Sequence, residues 1–272
     1  MALSASNHHT LSHPQVIAIA NQKGGVGKTT TTVNLGSALA ERGARVLCID
    51  LDPQGHLTVN MGIQRPDELD LSVYDVLCEP QVTVGDVRLH TDTLGVDFLP
   101  ANVELAGAEL QLVTEIGRES VLRDKLAPYL ADYDFVLIDC PPSLGLLCIN
   151  ALVAATDVII PLQCEYFGMR GMQQLQQTIE RVRAKLNRTL RIQGILPTIH
   201  KARTLHAKEV LNLVRSHYGD IVYPINVNDS IRFAECPLVG QSILQYANQS
   251  DGARAYRALA ATVMEQVRAG EA

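Results

Sequence analysis

Glycine, lysine and threonine residues near the start of the chain have the spacing of a phosphate-binding loop. The segment reads Asn21-Gln22-Lys23-Gly24-Gly25-Val26-Gly27-Lys28-Thr29-Thr30. Its glycines allow successive backbone N–H groups to turn inward around phosphate oxygens, while Lys28 would reach the β and γ phosphates and Thr29 would hold Mg²⁺. A glycine-rich turn that only caps a helix does not require a Lys-Thr pair at this position. The spacing therefore predicts a site for a nucleoside triphosphate and Mg²⁺.

Two aspartate-containing segments follow predicted strands and could complete this site. They read Asp50-Leu51-Asp52-Pro53-Gln54-Gly55 and Asp139-Cys140-Pro141-Pro142-Ser143. Carboxylates at the carboxyl ends of parallel strands lie at the edge of the sheet where ligands bind in open α/β folds. A lone aspartate in such a position often only caps the next turn. Two of them beside a phosphate-binding loop favour a nucleotide site, in which we expect Asp50 to brace its loop rather than contact the ligand.

Short apolar strands and helices must position these loops. Residues 16–20 form an apolar run that ends at the glycine-rich turn, and residues 29–42 repeat apolar side chains at helical spacing. The same patterns predict helices over residues 118–130 and 253–267 and strands over residues 45–51, 96–100, 135–139, 157–163, 191–196 and 221–223. Strands that are apolar on both faces and alternate with helices predict an α/β fold, with a mostly parallel twisted sheet and helices on both faces. We expect a single domain over residues 16–272, preceded by a flexible leader of residues 1–15.

Composition and charge narrow the class of protein. The 272 residues are 47% hydrophobic and 19% charged, which is typical of a soluble globular domain and excludes a disordered or collagen-like chain. No run reaches the roughly 18 apolar residues of a membrane span, and the six cysteines contain no CxxC pair, so we expect a cytoplasmic protein with free thiols. The net charge of −6 at first disfavours a nucleic acid as partner.

This charge is distributed unevenly along the chain. Residues 165–232 contain eleven lysines and arginines against five acidic residues. Their net charge is therefore +6, and the rest of the chain carries −12. A basic region of this kind predicts a confined patch that could bind an anionic polymer, and a dimer that pairs two copies would strengthen the binding.

The phosphate-binding loop departs from the strict pattern GxxxxGK[ST], because the first glycine of that pattern would fall at Gln22. Lys23 precedes the double glycine instead, and the resulting KGGVGKT resembles the deviant Walker A motif of the ParA/MinD ATPases, which are P-loop NTPases of the SIMIBI type. In that family the extra lysine, here Lys23, reaches across a nucleotide-sandwich dimer to the phosphates bound by the other subunit. A second cation that arrives only on dimerisation would couple hydrolysis to association.

The resemblance implies ATP and Mg²⁺ as ligands and a role for each residue of the site. Lys23, Lys28 and Asp52 would be catalytic, with Asp52 orienting the attacking water. Thr29, Asp52 and Asp139 would support Mg²⁺, the last of them through water. The loop residues implied in nucleotide binding are Lys23, Gly24, Gly25, Val26, Gly27, Lys28, Thr29 and Thr30. The residues that match the adenine contacts of relatives are Tyr223, Pro224 and Asn226.

Longer stretches resemble one branch of the family, chromosomal ParA (Soj). These are DLDPQGHLTVNMGI, LPANVELAGAEL, VLIDCPPSLGLLCINAL and PLQCEYFGMRGMQQL. MinD ends in a basic amphipathic membrane helix, whereas the last sixteen residues here carry Arg257 and Arg268 against Glu265 and Glu271, so we expect no membrane partner. The nitrogenase iron protein has a cluster-binding cysteine where this chain has Pro142. Some plasmid partition ATPases carry a helix-turn-helix domain before the first strand, and about fifteen residues are too few for one.

The second half of the chain carries the resemblance in DNA binding. In the Soj branch, arginines that match Arg203 and Arg232 bind DNA without sequence preference once ATP has formed the dimer. Lys201 lies in the same stretch as Arg203, and we expect all three to bind DNA. The family's PRNVR is replaced here by Pro224-Ile225-Asn226-Val227, with additional residues before Arg232. One basic residue of the family patch is therefore missing.

The resemblance thus implies a homodimer on ATP binding, nonspecific DNA of the nucleoid as a ligand, and a ParB-like protein that stimulates hydrolysis. Two alternatives stay open: an ATPase that positions a protein cargo rather than DNA, and a kinase-like or ligase-like P-loop enzyme. All three would share the nucleotide site. The region of Arg203 and Arg232 is therefore the part of the sequence that discriminates between them.

Overall fold

The computed structural model describes residues 13–163, 168–200 and 205–271 of the chain. Within these ranges the strands are β1 (Gln15–Ile19), β2 (Val46–Asp50), β3 (Leu89–Thr91), β4 (Val96–Leu99), β5 (Phe135–Asp139), β6 (Asp157–Gln163) and β7 (Arg191–Thr198). They form one sheet in the order β3-β4-β2-β5-β1-β6-β7, in which every neighbouring pair is parallel except β3 and β4. The predicted single-domain α/β fold is confirmed.

Helices connect the strands and cover both faces of the sheet. They are α1 (Lys28–Ala40), α2 (His56–Asn60), α3 (Val73–Cys78), α4 (Val84–Val87), α5 (Leu105–Leu112), α6 (Val121–Leu126), α7 (Leu146–Ala154), α8 (Gly168–Lys185), α9 (Leu205–Tyr218), α10 (Arg232–Glu235), α11 (Ile243–Tyr246) and α12 (Asp251–Glu271). Short 3₁₀ helices span Pro66–Glu68, Ala127–Asp132, Gly219–Ile221 and Cys236–Val239. None of the helices in the described ranges is long and apolar enough to cross a membrane.

The sheet lies between two apolar cores because successive strand residues point to opposite faces. Val16 and Ala18 of β1 lie in the core beneath α5, α7 and α8. Ile17 and Ile19 lie in the core beneath α1 and α12. Full burial of each isoleucine side chain contributes roughly 1.5–3 kcal/mol to stability. Burial on both faces explains why the central strands are continuous apolar runs in the sequence.

The prediction of a strand over residues 221–223 is wrong. An isolated bridge joins Val222 to Ile195 of β7, and the N–H of Tyr223 donates to the carbonyl oxygen of Ile195. Pro224 follows, and proline has no N–H with which to continue a ladder. The apolar run is therefore a single contact along the edge of β7.

Other boundaries shift for local reasons. The helix predicted over residues 118–130 begins at Val121 and changes to a 3₁₀ helix at Ala127, because Pro128 cannot continue the α-helical hydrogen bonds. The edge strand β3 was not predicted, because three residues are too few to show an alternation of apolar and polar side chains. β1 begins at the buried Gln15, one residue before its predicted start. Residues 1–12 of the predicted leader lie outside the described residues.

Candidate functional site

The turn between β1 and α1 has a left-handed backbone at two glycines. The φ angle is 71° at Gly25 and 87° at Gly27, values that residues with a Cβ adopt only with strain. Gly27 immediately precedes α1, so the unpaired N–H groups and positive dipole end of that helix adjoin the turn. This is the backbone conformation that an anion-binding loop requires.

Two buried hydrogen bonds attach the loop to the sheet. The Asn21 side chain donates to the carbonyl oxygen of Pro161 in β6 (2.7 Å) and accepts from the backbone N–H of Lys23 (3.0 Å). Further along, the Thr198 hydroxyl at the end of β7 donates to the carbonyl oxygen of Val26 (2.7 Å). The loop is therefore fixed at its first turn and at its centre.

The two lysines of the motif occupy different surroundings. Lys28 is buried, and its Nζ donates to the carbonyl oxygen of Lys23 across the loop (3.4 Å). The Nζ of Lys23 instead donates to Oε1 of Gln163, the last residue of β6 (2.8 Å). Only the Lys28 amine therefore lies within the turn of the loop.

Thr29 and Asp139 place two oxygen atoms that could serve as metal ligands beneath the loop. The Thr29 hydroxyl donates to Oδ2 of Asp139 (2.6 Å). Asp139 is fully buried, and its Oδ1 has no hydrogen-bond partner among the described residues. Burial, and next the Asp50 carboxylate, raise the pKa of Asp139 well above its usual range. A buried carboxylate oxygen without a partner beside a threonine hydroxyl fits a hard cation such as Mg²⁺.

Asp50 and Asp52 differ in what they contact. Asp50 is fully buried and accepts from the N–H and hydroxyl of Thr58 (both 2.8 Å) and from the N–H of Asp52 (3.1 Å). Burial raises the pKa of Asp50 to about 7. Asp52 accepts a hydrogen bond from the N–H of Gln54 (3.0 Å). Asp50 thus braces the loop that carries Asp52.

A cavity of about 530 Å³ opens above these residues. The predicted site residues that line it are Gly24, Gly25, Gly27, Lys28, Thr29, Thr30 and Asp52. Lys23, Val26 and Asp139 are not part of the lining. The rest of the wall consists of Gln54, His56, Pro142, Thr198, Ile199, Val227, Asn228, Asp229, Ser230, Phe233, Ala234 and Tyr256. The cavity therefore extends the phosphate-binding loop toward the C-terminal third of the chain.

Comparison with known proteins identifies the family. The AAA domain family matches residues 14–192. The chain is 45% identical over 249 residues to the sporulation initiation inhibitor protein Soj of Bacillus subtilis, which covers 92% of this chain and 98% of Soj. It is also 45% identical over 256 residues to the chromosome partitioning protein ParA of Caulobacter vibrioides, covering 93% of this chain and 95% of that protein. This chain belongs to the ParA/Soj family of P-loop ATPases.

A solved structure agrees with this ParA/Soj assignment in fold and in sequence. It is described as a cobyrinic acid a,c-diamide synthase from Mycobacterium smegmatis with bound ADP and magnesium. The two chains are 42% identical with a TM-score of 0.84, covering 94% of this chain and 96% of that one. The predicted family, P-loop fold and ATPase class are confirmed.

In this ParA-family chain, the predicted adenine contacts are not brought to the cavity. Tyr223 is only 3% exposed; its ring lies against Gly194 of β7 and its hydroxyl donates to Oε1 of Gln266 (3.2 Å). Pro224 is exposed, and Asn226 is partly buried outside the lining. The far wall begins one residue later, at Val227.

Several residues that line the cavity of this ParA-family chain were not predicted from the sequence. Phe233 and Tyr256 meet edge to face at 6.0 Å between ring centroids, and both line the cavity. Thr198 and Ile199 line it from the end of β7. These residues come from separate segments with no characteristic spacing, so the sequence carries no signal for their proximity.

The basic residues of residues 165–232 in this ParA-family chain lie at both ends of the parallel strands. Arg232 is exposed at the start of α10, beside the cavity wall. Lys201 and Arg203 lie outside the described residues. Five others lie near the end of α8 and the start of β7, at the opposite ends of the strands from the cavity: Arg181, Arg183, Lys185, Arg188 and Arg191. Of the remaining three, Arg215 is near the end of α9, and Arg170 and Lys208 are near the starts of α8 and α9. The basic residues behind the net charge of +6 are therefore not all grouped around Arg232.

Proposed function

We propose that this ParA-family ATPase segregates DNA. In this proposal ATP and Mg²⁺ close two subunits face to face, the dimer binds DNA without sequence preference, and a ParB-like partner stimulates hydrolysis and release. The protein would then be cytoplasmic and associated with the nucleoid. The observation that carries the proposal is the likeness, over more than nine-tenths of the chain, to Soj and to a chromosome partitioning protein.

The nucleotide part of the proposal rests on the loop and on the oxygen donors beneath it. The loop N–H groups and Lys28 would bind the phosphates, while Thr29 and Asp52, together with Asp139 through water, would hold Mg²⁺. Bound Mg²⁺ would neutralise charge on the phosphates. Asp52 faces the cavity and would orient the attacking water. The neighbouring Mycobacterium smegmatis structure, which contains ADP and magnesium, supports this choice of ligands.

The dimer part of the proposal is supported by the position of Lys23. Its Nζ is bonded to Gln163 and it does not line the cavity of its own subunit. A lysine used within one subunit would be expected beside Lys28. Its position beside β6 suits a cation that acts on the phosphates of a second subunit.

Retention on DNA tests the proposal. A random-sequence duplex is offered to the protein with ATP, with ADP and without nucleotide, over a range of salt concentrations. We expect retention with ATP only, falling steeply with salt because the contacts are to phosphates. Arg203→Ala and Arg232→Ala should each weaken it, whereas Arg188→Ala removes the same charge at the opposite ends of the strands and should not. Equal retention with ADP and ATP would contradict the proposed cycle.

A second candidate is favoured by the solved structure that is 42% identical and described as a cobyrinic acid a,c-diamide synthase. The same ATP site could then serve an amide-forming reaction. Incubation with cobyrinic acid, ATP and an ammonia donor, followed by mass analysis, separates the two candidates. Formation of a diamide would favour the synthase, and its absence together with ATP-dependent DNA retention would favour segregation.

The third candidate is the positioning of a protein cargo. The observation that suits it is that five of the eleven basic residues in region 165–232 lie near the end of α8 and the start of β7, away from Arg232. Its nucleotide cycle would be the same. The observation that would support it is ATP-dependent dimerisation without retention on DNA at any salt concentration.

A further inference from the structure

We propose that Thr198 is a positioning residue for the phosphate-binding loop, one that sets the affinity of the cavity for phosphate groups. Thr198 is the last residue of β7 and is 1% exposed. Its hydroxyl donates to the carbonyl oxygen of Val26 over 2.7 Å, across 172 residues of sequence. The inference rests on the proposed ATP site and adds a residue that the motif does not contain.

The bond acts on the central peptide of the loop. Val26 is fully buried and lies between Gly25 and Gly27, both of which have left-handed φ angles. In a trans peptide the C=O and the following N–H point in opposite directions. By holding the Val26 oxygen toward β7, the Thr198 hydroxyl directs the N–H of Gly27 away from β7. One of the loop's anion-binding donors is thereby oriented from outside the loop.

The same end of β7 also holds the far wall of the cavity. The N–H of Val227 donates to Pro197 (2.8 Å), and the N–H of His200 donates to the Val227 carbonyl oxygen (3.0 Å). Between these contacts Ile199 has a φ of 49°, a left-handed conformation that is costly for a β-branched residue. The chain adopts that turn where β7 contacts the phosphate-binding loop on one side and the far wall on the other. Thr198 is thus placed to fix one wall relative to the other.

Removing the hydroxyl isolates this role. Thr198→Val keeps the shape of the side chain but leaves the buried Val26 oxygen without its donor, and we expect affinity for a non-hydrolysable ATP analogue to fall about tenfold. KM for ATP should rise by a similar factor while kcat stays within about twofold, because Thr198 touches no reacting atom. Adenosine, which has no phosphate, should bind equally to both proteins. Thr198→Ser should restore wild-type affinity.

A control variant tests the specificity of the effect. Thr178→Val removes a hydroxyl that donates to the Gln174 carbonyl oxygen on the exposed face of α8 and should leave affinity unchanged. If Thr198→Val does not fold, Thr198→Ser and Thr198→Ala give the same comparison, since they differ by one hydroxyl.

The possible outcomes separate this inference from the proposed function. Wild-type analogue affinity in Thr198→Val, or an equal loss of adenosine and analogue binding, would overturn the role of Thr198 and leave the ATP site standing. No analogue binding by the wild-type protein would instead overturn the proposed ATP site itself. A phosphate-specific loss that Thr198→Ser rescues would establish the positioning role.

Discussion

Asp50 and Asp139 lie opposite each other at the carboxyl ends of the neighbouring parallel strands β2 and β5. Both are fully buried, but their surroundings differ. Asp50 has hydrogen-bond donors on both oxygens, from Thr58 and from the Asp52 backbone, whereas Oδ1 of Asp139 has no partner in the part of the chain that the structure describes. Strand register thus places a structural carboxylate beside one with an oxygen available for a cation.

Asp139→Asn tests the second of these roles. The substitution keeps the shape of the side chain but removes the charge that would hold Mg²⁺. We expect the affinity for an ATP analogue in the presence of Mg²⁺ to fall about tenfold or more, a loss of about 1.4 kcal/mol. The affinity without Mg²⁺ should change little. A titration of analogue affinity against Mg²⁺ measures this, with the exposed Asp132→Asn as control. An unchanged Mg²⁺ dependence would remove Asp139 from the proposed metal site.

Asp50→Ala should mainly lower stability, whereas Asp52→Ala should mainly slow hydrolysis. Asp50→Ala leaves buried donors of Thr58 and Asp52 without an acceptor, and we expect it to lower the free energy of unfolding by about 3 kcal/mol or more. Asp52→Ala loses one bond to the Gln54 N–H, so we expect a change within about 1 kcal/mol, retained ATP binding and slow hydrolysis. Urea unfolding and phosphate release measure the two effects. Normal hydrolysis by Asp52→Ala would refute its role.

Substitutions of the two lysines of the loop should also have different effects. Lys28→Ala removes the amine within the turn and should abolish ATP binding. Lys23→Ala removes an amine bonded to Gln163, so ATP binding should remain within about twofold, a change of less than 0.5 kcal/mol. Hydrolysis by the dimer should be lost. Analogue affinity and turnover are measured on both variants, and wild-type turnover in Lys23→Ala would contradict a role across the dimer.

A pH-dependent contact joins the end of α1 to α12. Arg257 donates to both carboxylate oxygens of Glu41 (2.6 and 2.8 Å), and these hydrogen bonds lower the pKa of Glu41. A lowered carboxylate pKa contributes stability above the unfolded value, about 4.3, and loses it as the pH falls through the folded value. Glu41 is partly exposed, so we expect Glu41→Gln to cost only about 0.5 kcal/mol at neutral pH. Denaturant unfolding near pH 7 and pH 3 should show a larger difference between the two proteins at the higher pH.

The sequence predicted those parts of the site that are local along the chain. The loop follows β1 and precedes α1 directly, so glycine spacing and helix periodicity together locate it. Asp52 and Asp139 were predicted because each follows a continuous apolar strand. The family resemblance added Lys23, whose position beside Gln163 fits no contact within its own cavity.

The far wall could not be predicted in the same way. The run that includes Tyr223 has the composition of a strand, but Pro224 ends its pairing after one bridge, and the chain turns toward the cavity only at Val227. The proximity of Val227 to Thr198 depends on hydrogen bonds between segments that are distant in sequence. Such contacts follow from the tertiary fold rather than from residue periodicity.

The side chain of Asn21 has a thermodynamic consequence. It joins Pro161 to the Lys23 backbone, so the first turn of the loop is ordered without a ligand. A preorganised loop loses little conformational entropy when phosphate arrives, and less of the favourable binding free energy is offset by ordering. In the proposed cycle, that free energy would be available to draw a second subunit onto the first. Asn21 would then link the rigidity of one turn to the equilibrium between monomer and dimer.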